Sequence, residues 1–259
     1  MKLFSSAILR LPSPEATRAS GPADTSDGGQ RWPDYERVLS EQAVYAQVLR
    51  SLGVDVRTLP ALDAHPHAMF VQDMAVVLPE ISVIARPRDQ TRLDELASIE
   101  EVLAPYRPIG RIHSPGVLDG SDVLEVEKHV FIGLSARTDR DGARQLSTIL
   151  EPLGYTTSLV PLSGDVRLRS LVGELGGRRL VIARELAQTG VFGDFELALL
   201  DHGETHACNA FHVNGAVLMS QGPSGGVSGL AGQGLSLIEL DLRATAALSR
   251  GPSCLSLRL

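Results

Sequence analysis

The sequence predicts an α/β fold built from a short unit that recurs five times. Stretches with apolar residues at helical spacing alternate with short apolar runs typical of strands. Five of these runs adjoin a polar cluster, at intervals of roughly 40 to 50 residues. They cover residues 69–77, 117–124, 166–172, 205–211 and 252–257. Radial repetition of such units would form a propeller and direct the five polar clusters toward one centre.

A Rossmann-like sheet, in which these segments are unrelated strand ends, is the alternative to the propeller. No Gly-x-Gly-x-x-Gly or P-loop sequence supports a nucleotide-binding sheet of that kind.

The first ten residues predict a strand. Their apolar stretch meets Arg10 after about seven residues, which is too short for the hydrophobic segment of a signal peptide. Residues 13–32, rich in Ser, Gly, Pro and Asp, predict a loop. A helix is expected from Pro33 to a C-terminal cap at Gly53, followed by a strand over 54–59.

The middle of the chain predicts two further helices. The first has a capped start at residues 91–94 and stops at Pro105. The second covers 142–153, ends at Gly154, and precedes an apolar strand over 158–162. Residues 220–234 predict a second loop, and because neither loop resembles a domain linker, we expect one domain over residues 1–259.

Composition narrows the possible functions. The 259 residues carry a formal net charge of −7 and contain only 4% aromatic residues, with no dense basic run, so nucleic acid is not an expected partner. No run of about 18 apolar residues is present, which argues against a membrane span. The chain has only 2 cysteines, unlike disulfide-stapled secreted proteins, and a cytoplasmic location is expected.

Cys254 is the candidate nucleophile. It follows Gly251 and Pro252 and precedes an apolar run, so it lies where a loop enters a strand. A thiol there can border a pocket, and nearby cations would increase its thiolate fraction. The alternative is a small buried apolar side chain, which is the role we predict for Cys208.

Three aspartates are candidate acids, whereas the histidines have no metal-site pattern. Asp73, Asp119 and Asp122 each adjoin a turn, and they could either form that turn or present an acid in a cleft. The 7 histidines lack the spacing of a zinc site, and no metal or cofactor is expected.

Several motifs together resemble the dimethylarginine dimethylaminohydrolases of the pentein, or guanidino-group modifying, superfamily. The resemblance runs in order from the first predicted strand to the last. Its motifs are Ala7-Ile8-Leu9-Arg10-Leu11-Pro12-Ser13-Pro14, Phe70-Val71-Gln72-Asp73, Leu118-Asp119-Gly120-Ser121-Asp122, Ile132-Gly133-Leu134-Ser135-Ala136-Arg137-Thr138 and Ser253-Cys254-Leu255-Ser256-Leu257. It implies a five-bladed pentein α/β propeller of ββαβ units.

The resemblance also implies roles for individual residues. In that family a cysteine attacks the guanidinium carbon to form a covalent thiouronium-type intermediate, an amine leaves, and water releases citrulline. Cys254 matches the nucleophile and Asp119 the acid of a Leu-Asp-Gly-Gly-Asp-type motif. Asp73, in the motif that begins with Phe70, matches an acid that binds the guanidinium. Arg92 and Arg137 match the two arginines that hold the substrate α-carboxylate.

Three residues depart from the family pattern at the distal end of the substrate. Arg167 stands where the family has its catalytic histidine, Gln72 replaces an acid next to Asp73, and His67 replaces an upstream aspartate. Arginine cannot exchange protons near neutral pH, so we expect Arg167 to act electrostatically on the Cys254 thiolate instead. His67 or water would then carry protons.

These observations favour a cysteine-dependent hydrolase that cleaves a C–N bond of a free amino acid related to arginine, with an altered distal group. The alternative is an amino-acid-binding pentein that has lost turnover. A more remote alternative is a structural relative in which the cysteine is only packed. We expect a small-molecule substrate and a monomer or homodimer.

Overall fold

The computed structural model describes residues 3–19, 23–24, 30–31, 33–164, 166–222, 230, 234–248 and 250–259. The predicted loops over 13–32 and 220–234, and the first two residues of the predicted first strand, lie partly outside this part of the chain. Where residues 13–32 are described they include a short helix and a strand pair, so the loop prediction was wrong there.

The strands are β1 (Ser6–Arg10), β2 (Ala23–Asp24), β3 (Gln30–Arg31), β4 (Asp55–Leu59), β5 (Ala75–Val77), β6 (Ser82–Ile84), β7 (Ile109–Arg111), β8 (Val123–Val126), β9 (His129–Leu134), β10 (Thr156–Pro161), β11 (Val172–Gly176), β12 (Arg179–Ala183), β13 (Glu196–Leu200), β14 (Phe211–Val213), β15 (Ala216–Ser220), β16 (Leu237–Leu240) and β17 (Leu257–Arg258). The helices are α1 (Glu15–Ala19), α2 (Tyr35–Ser51), α3 (Glu95–Leu103), α4 (Arg140–Leu150), α5 (Arg184–Ala187) and α6 (Arg243–Ala246).

In the described part of the chain, β2 and β3 form a separate pair, and the other strands form five three-stranded sheets of one design. In each sheet the central strand pairs antiparallel with one neighbour and parallel with the other. The strand orders are β17-β1-β4, β5-β6-β7, β8-β9-β10, β11-β12-β13 and β14-β15-β16. The five-bladed α/β propeller is therefore confirmed, and the Rossmann-like alternative is wrong.

A short 3-10 turn precedes the first strand of every blade and contains the polar cluster expected from the sequence. We call these the central turns; they are Val71–Met74, Gly120–Asp122, Leu168–Ser170, His202–Asn209 and Pro252–Leu255. Val71–Met74 contacts Gly120–Asp122 and Pro252–Leu255. A Cβ at Gly120 would overlap the carbonyl oxygen of Gln72 in the adjacent turn. Glycine is therefore required where these two turns approach each other.

The predicted helices exist with shifted boundaries. In α2, Asp34 accepts a hydrogen bond from the Glu36 N–H at the start, and Gly53 has a φ of +81° beyond the end. The start expected at 91–94 was wrong: α3 begins at Glu95, because 90–92 forms its own turn, in which the Asp89 side chain accepts from the Thr91 N–H.

Helix α4 and strand β10, predicted over 142–153 and 158–162, also begin earlier than expected. Helix α4 begins at Arg140, where the Asp139 side chain accepts from the Gly142 N–H. A separate 3-10 turn over 151–153 follows it, and β10 starts at Thr156.

Apolar side chains between the blades form the core. One cluster joins α2 to the first and fifth blades through Tyr45, Leu49 and Phe211, and it includes Cys254. Within the described ranges, no helix is long and apolar enough to cross a membrane.

Candidate active site

Cys254 lies in the central turn Pro252–Leu255, and its side chain is buried at 2% exposure. Asn209, at the end of the preceding central turn, holds this segment in place. Its Oδ1 accepts a 2.9 Å hydrogen bond from the Ser253 N–H, and its Nδ2 lies 3.9 Å from the Cys254 Sγ. A Cβ on Gly251 would clash with Asn209, so this contact also requires glycine.

Asp73 is a fully buried carboxylate that bridges two arginines. Its Oδ2 accepts from Arg92 Nη1 at 2.8 Å and from Arg250 Nη2 at 3.1 Å. Burial opposes ionisation, but the guanidinium groups of Arg250, Arg92 and Arg167 together hold the pKa of Asp73 below its ordinary value. Among the described residues its Oδ1 has no hydrogen-bond partner, so this oxygen can accept a bond from a ligand.

Arg92 is more heavily engaged than a substrate clamp would need to be. Besides Asp73, it donates to both Glu95 carboxylate oxygens and to the His67 carbonyl, at distances of 2.8 to 3.1 Å. Burial lowers the pKa of Arg92, but the contacts with Glu95 and Asp73 raise it by more, so the net shift is upward. Within the described structure one N–H of Nη1 remains for a ligand, and its role in carboxylate binding stays a prediction.

Asp119 and Arg167 form the next pair of charges. The Asp119 Oδ1 accepts from the N–H and hydroxyl of Ser121, and its Oδ2 lies 3.8 Å from Arg167 Nε. Burial, together with the charge of Asp73, raises the pKa of Asp119 to about 6 despite the attraction of Arg167. The carboxyl group can therefore gain or lose a proton near neutral pH.

His67 lies beside these charges and stacks on the Phe70 ring, with 6.3 Å between ring centroids. Burial and the neighbouring Arg92 and Arg250 lower the pKa of His67 to about 4. The imidazole is therefore neutral at neutral pH and is a poor proton donor, in contrast to the proton-carrying role considered above.

Arg137 follows a turn that the buried Asp122 organises. The Ser135 and Thr138 hydroxyls both donate to Asp122 Oδ2, at 2.6 and 2.8 Å, and the Arg137 N–H donates to Ser135 Oγ. Burial raises the pKa of Asp122. Burial lowers the pKa of Arg167, and the positive charges of Arg250 and Arg137 lower it further.

Gln72 lines a cavity separate from the cluster around Asp73 and Asp119. Its Nε2 donates to the Gly120 carbonyl, and it lines a cavity of about 70 Å³ together with Arg169 and Arg258. Gln72 and Arg169 each occupy the second position of their central turn, whereas Phe70, Asp119 and Arg167 each directly precede theirs. The substrate-binding role of Gln72 stays a prediction.

Arg169 is a buried cation whose charge interacts with the candidate nucleophile. Burial lowers the pKa of Arg169 to about 10, while Cys254 and Tyr45 are among the groups that raise it. Its Nε and Nη2 have no hydrogen-bond partner among the described residues.

Cys208 has the buried role that the sequence favoured. It packs in an apolar cluster with Val181, Ala207 and Val217, and burial raises its pKa to about 12. In the part of the chain that the structure describes, no group of three or more His, Cys, Asp or Glu side chains could hold a metal ion.

Four residues of this site were not identified from the sequence. Glu95 had a weak signal, since an acid three positions after an arginine commonly forms an ion pair. Arg250 and Arg169 also had weak signals, because Arg250 lies just before the segment 252–257 that contains Cys254, and Arg169 lies within the segment 166–172 that contains Arg167. Asn209 gave no chemical signal and is defined only by the contact between turns.

The comparisons with known proteins cover nearly the whole chain. It is 32% identical over 228 residues to the N(G),N(G)-dimethylarginine dimethylaminohydrolase of Pseudomonas aeruginosa, covering 87% of this chain and 90% of that protein. A dimethylarginine dimethylaminohydrolase from Pseudomonas aeruginosa, solved as a cysteine-to-serine variant with citrulline, has a TM-score of 0.91, 30% identity and 100% coverage of both chains. A dimethylarginine dimethylaminohydrolase adduct with S-methyl-L-thiocitrulline has a TM-score of 0.90 and 31% identity, covering 99% of this chain and 100% of that one. No protein-family model matches.

Proposed function

Because the chain belongs to the dimethylarginine dimethylaminohydrolase family of the penteins and is a hydrolase of carbon–nitrogen bonds other than peptide bonds, we propose that Cys254 is its nucleophile and that its substrate is a free α-amino acid related to arginine. The observation that carries this proposal is the position of Cys254, in a central turn that contacts the turn of Asp73. Asp119 and Arg167 directly precede the central turns Gly120–Asp122 and Leu168–Ser170.

The proposed reaction has two steps. In its thiolate form, Cys254 attacks the distal carbon of the substrate and forms a C–S bond. The C–N bond then breaks and the amine leaves with a proton from Asp119. Water adds to the same carbon and gives its proton to Asp119, the C–S bond breaks, and the thiolate is regenerated.

Asp119 is the proton carrier of this mechanism. Arg167 cannot exchange a proton at neutral pH, and His67, with a pKa near 4, has little protonated form to donate. The pKa of Asp119, near 6, suits both donation and acceptance. Asp119 thus transfers the protons in this mechanism, because neither Arg167 nor His67 can do so at neutral pH.

The charge of the site favours a distal group that is neutral or anionic. Arg92 is already paired with Glu95, so Arg167 and Arg250 balance Asp73 and Asp119, and no carboxylate charge is left over for a cationic group. A carbonyl carbon becomes an oxyanion when a thiolate attacks it, and nearby guanidinium groups stabilise that charge. Ureido, amide and other carbonyl-bearing side chains fit these requirements, and the free carboxylate of the amino acid would bind Arg137 and Arg92.

The second candidate function is an amino-acid-binding protein without turnover. The extensive engagement of Arg92 and the replacement of the family histidine by Arg167 favour it. Both candidates predict binding of an amino acid, but only the first predicts a covalent bond to Cys254.

The test is a screen followed by trapping. Free amino acids with varied distal groups would be ranked by the thermal shift they cause, since a ligand that binds the native state raises the midpoint of unfolding. Each binder would then be incubated with the protein, quenched in acid and measured by intact mass. A mass increase that disappears in Cys254→Ser and persists in Cys208→Ser supports the hydrolase. Binding without turnover or adduct supports the binding protein.

A further inference from the structure

Arg250 occupies a position with the two partners that a guanidinium ligand prefers. Its Nη2 lies 3.1 Å from Asp73 Oδ2, and its guanidinium carbon lies 4.8 Å from the centroid of the Phe70 ring. A carboxylate beside an aromatic face binds guanidinium groups through charge, hydrogen bonding and stacking. The side chain is only 6% exposed, so this contact belongs to the interior of the site.

This position adjoins the candidate nucleophile. Arg250 is next to Gly251, which precedes the turn Pro252–Leu255, and Asp73 lies in the central turn that contacts it. Arg250 thus lies in the segment that leads directly into the turn of Cys254, and its guanidinium contacts the adjacent turn at Asp73.

We propose that Arg250 is a specificity-determining residue, which fills the guanidinium position at Asp73 and Phe70 and thereby restricts the site to amino acids with a neutral or anionic distal group. This inference rests on the proposed function, because it concerns the substrate of the same site. A guanidinium ligand could reach the open Oδ1 of Asp73, but to stack on Phe70 it would have to displace Arg250. It would then lie among Arg92, Arg167 and the displaced side chain. A carbonyl oxygen or a carboxylate can instead accept hydrogen bonds from these cations.

Two isosteric pairs of small molecules test this assignment. L-arginine carries a cationic guanidinium where L-citrulline carries a neutral ureido group. The thiol alkylators 2-chloroacetamidine and 2-chloroacetamide form a second pair of one cationic and one neutral member. Thermal shifts would measure the first pair, and the rate of Cys254 alkylation, followed by peptide mass spectrometry, the second. The variants are Arg250→Ala and Arg250→Gln, the latter retaining an amide that can donate to Asp73. Arg243→Ala, which removes an exposed arginine paired with Asp241, is the matched charge control.

The unaltered protein should bind L-citrulline more tightly than L-arginine and should react faster with the neutral alkylator. Both Arg250 variants should shift each ratio toward the cationic member at least about tenfold, whereas Arg243→Ala should shift neither. Unchanged ratios in the Arg250 variants, or equal shifts in the control, overturn the inference.

The two measurements separate this inference from the proposed nucleophile. If Cys254 resists both alkylators in every variant while the amino-acid preference still shifts, Arg250 sets specificity and Cys254 is not reactive. If Cys254 reacts but neither ratio changes, the nucleophile stands and the assignment of Arg250 is wrong.

Discussion

Asp119 and Arg167 occupy the same position in two neighbouring central turns, the residue directly before each turn, and the Arg167 Nε lies 3.8 Å from the Asp119 Oδ2. The repeated design of the blades thus places a carboxyl group and a guanidinium group opposite each other. Both side chains are buried, so their interaction is weakly screened by solvent.

Replacing Arg167 with Gln should raise the pKa of Asp119 above its value near 6, because the carboxylate loses the attraction of a buried guanidinium. Infrared difference spectroscopy of the carboxyl band, with Asp119→Asn to assign the signal, would measure the titration. The control is Arg144→Gln, which removes an exposed arginine paired with Asp141. An unchanged or lower pKa in Arg167→Gln would contradict the pairing.

The raised pKa of Asp119 also has a consequence for stability. Between about pH 4 and pH 6 the folded carboxyl group binds more protons than the unfolded one, so its contribution to stability decreases as pH rises through this window. The difference in the free energy of unfolding, Asp119→Asn minus the unaltered protein, should therefore increase from pH 4 to pH 6. Above pH 6 this difference should stay constant. Urea denaturation at fixed ionic strength would measure both proteins, and a difference independent of pH would refute the shift.

Asp73→Asn should lower the free energy of unfolding by about 3 kcal/mol at pH 7, because it removes the carboxylate that faces two buried guanidinium groups. The pKa of Asp73 is lowered, so its stabilising contribution is present above about pH 4 and is lost as pH falls through the folded-state pKa. The loss caused by Asp73→Asn should therefore shrink in strongly acidic solution. Asp241→Asn, which removes a carboxylate paired with exposed Arg243, is the control and should cost much less.

The two cysteines should differ sharply in reactivity. At pH 8, iodoacetamide should label Cys254 and leave Cys208 unmodified, because burial raises the pKa of the Cys208 thiol to about 12. Peptide mass spectrometry of the native protein would locate the label, and denaturation in urea should expose both thiols. Arg169→Met should slow the labelling of Cys254 by removing a nearby positive charge. Preferential labelling of Cys208 would reverse the assignment.

Arg137→Ala should weaken binding of the amino acid by about 2 to 4 kcal/mol, because the ligand carboxylate would lose its ionic partner in a partly desolvated site. Calorimetry with the amino acid and its carboxamide would measure the effect. The unaltered protein should prefer the carboxylate, and Arg137→Ala should lose most of that preference. Equal affinity of the unaltered protein for both ligands would argue against a carboxylate clamp.

The unaltered protein should hydrolyse asymmetric dimethylarginine weakly or not at all. Combining Arg167→His, Gln72→Glu and His67→Asp should improve that activity, whereas Arg167→His alone should restore only proton transfer. Adding Arg250→Ala should improve it further, since the guanidinium position would then be open. Citrulline release would be measured for each variant, and turnover by the unaltered protein at about 1 per second would overturn the altered specificity.

The repeat in the sequence was sufficient to predict the five blades, because apolar runs and polar clusters recur with the blades themselves. It also predicted that residues as distant as Asp73 and Cys254 would meet. Helix starts were less predictable. The sequence at 91–94 resembles a helix cap, but the Thr91 N–H binds the Asp89 side chain in the separate turn 90–92, and α3 begins only at Glu95.

The departures within the site could not be read from residue type alone. Arg92 matches a substrate clamp in sequence, but only the structure reveals that Glu95 and Asp73 engage it. Gln72 is adjacent to Asp73 in sequence, but Asp73 binds Arg92 and Arg250, whereas Gln72 lines the cavity that it shares with Arg169 and Arg258. Which side of a turn a residue faces depends on how that turn packs against its neighbours.

The first blade obtains one of its strands from the opposite end of the described chain, since β17 pairs with β1. The other four sheets each join strands that are close in sequence, and they can form locally during synthesis. The β1–β17 pairing instead requires closure of a loop that spans nearly all of the described sequence, which makes it a late step of folding. Cys254 lies directly before β17, so the thiol meets its charged neighbours only when the ring closes. A chain in which only the other four blades had formed would lack both Cys254 and Arg250 at the site and would be inactive.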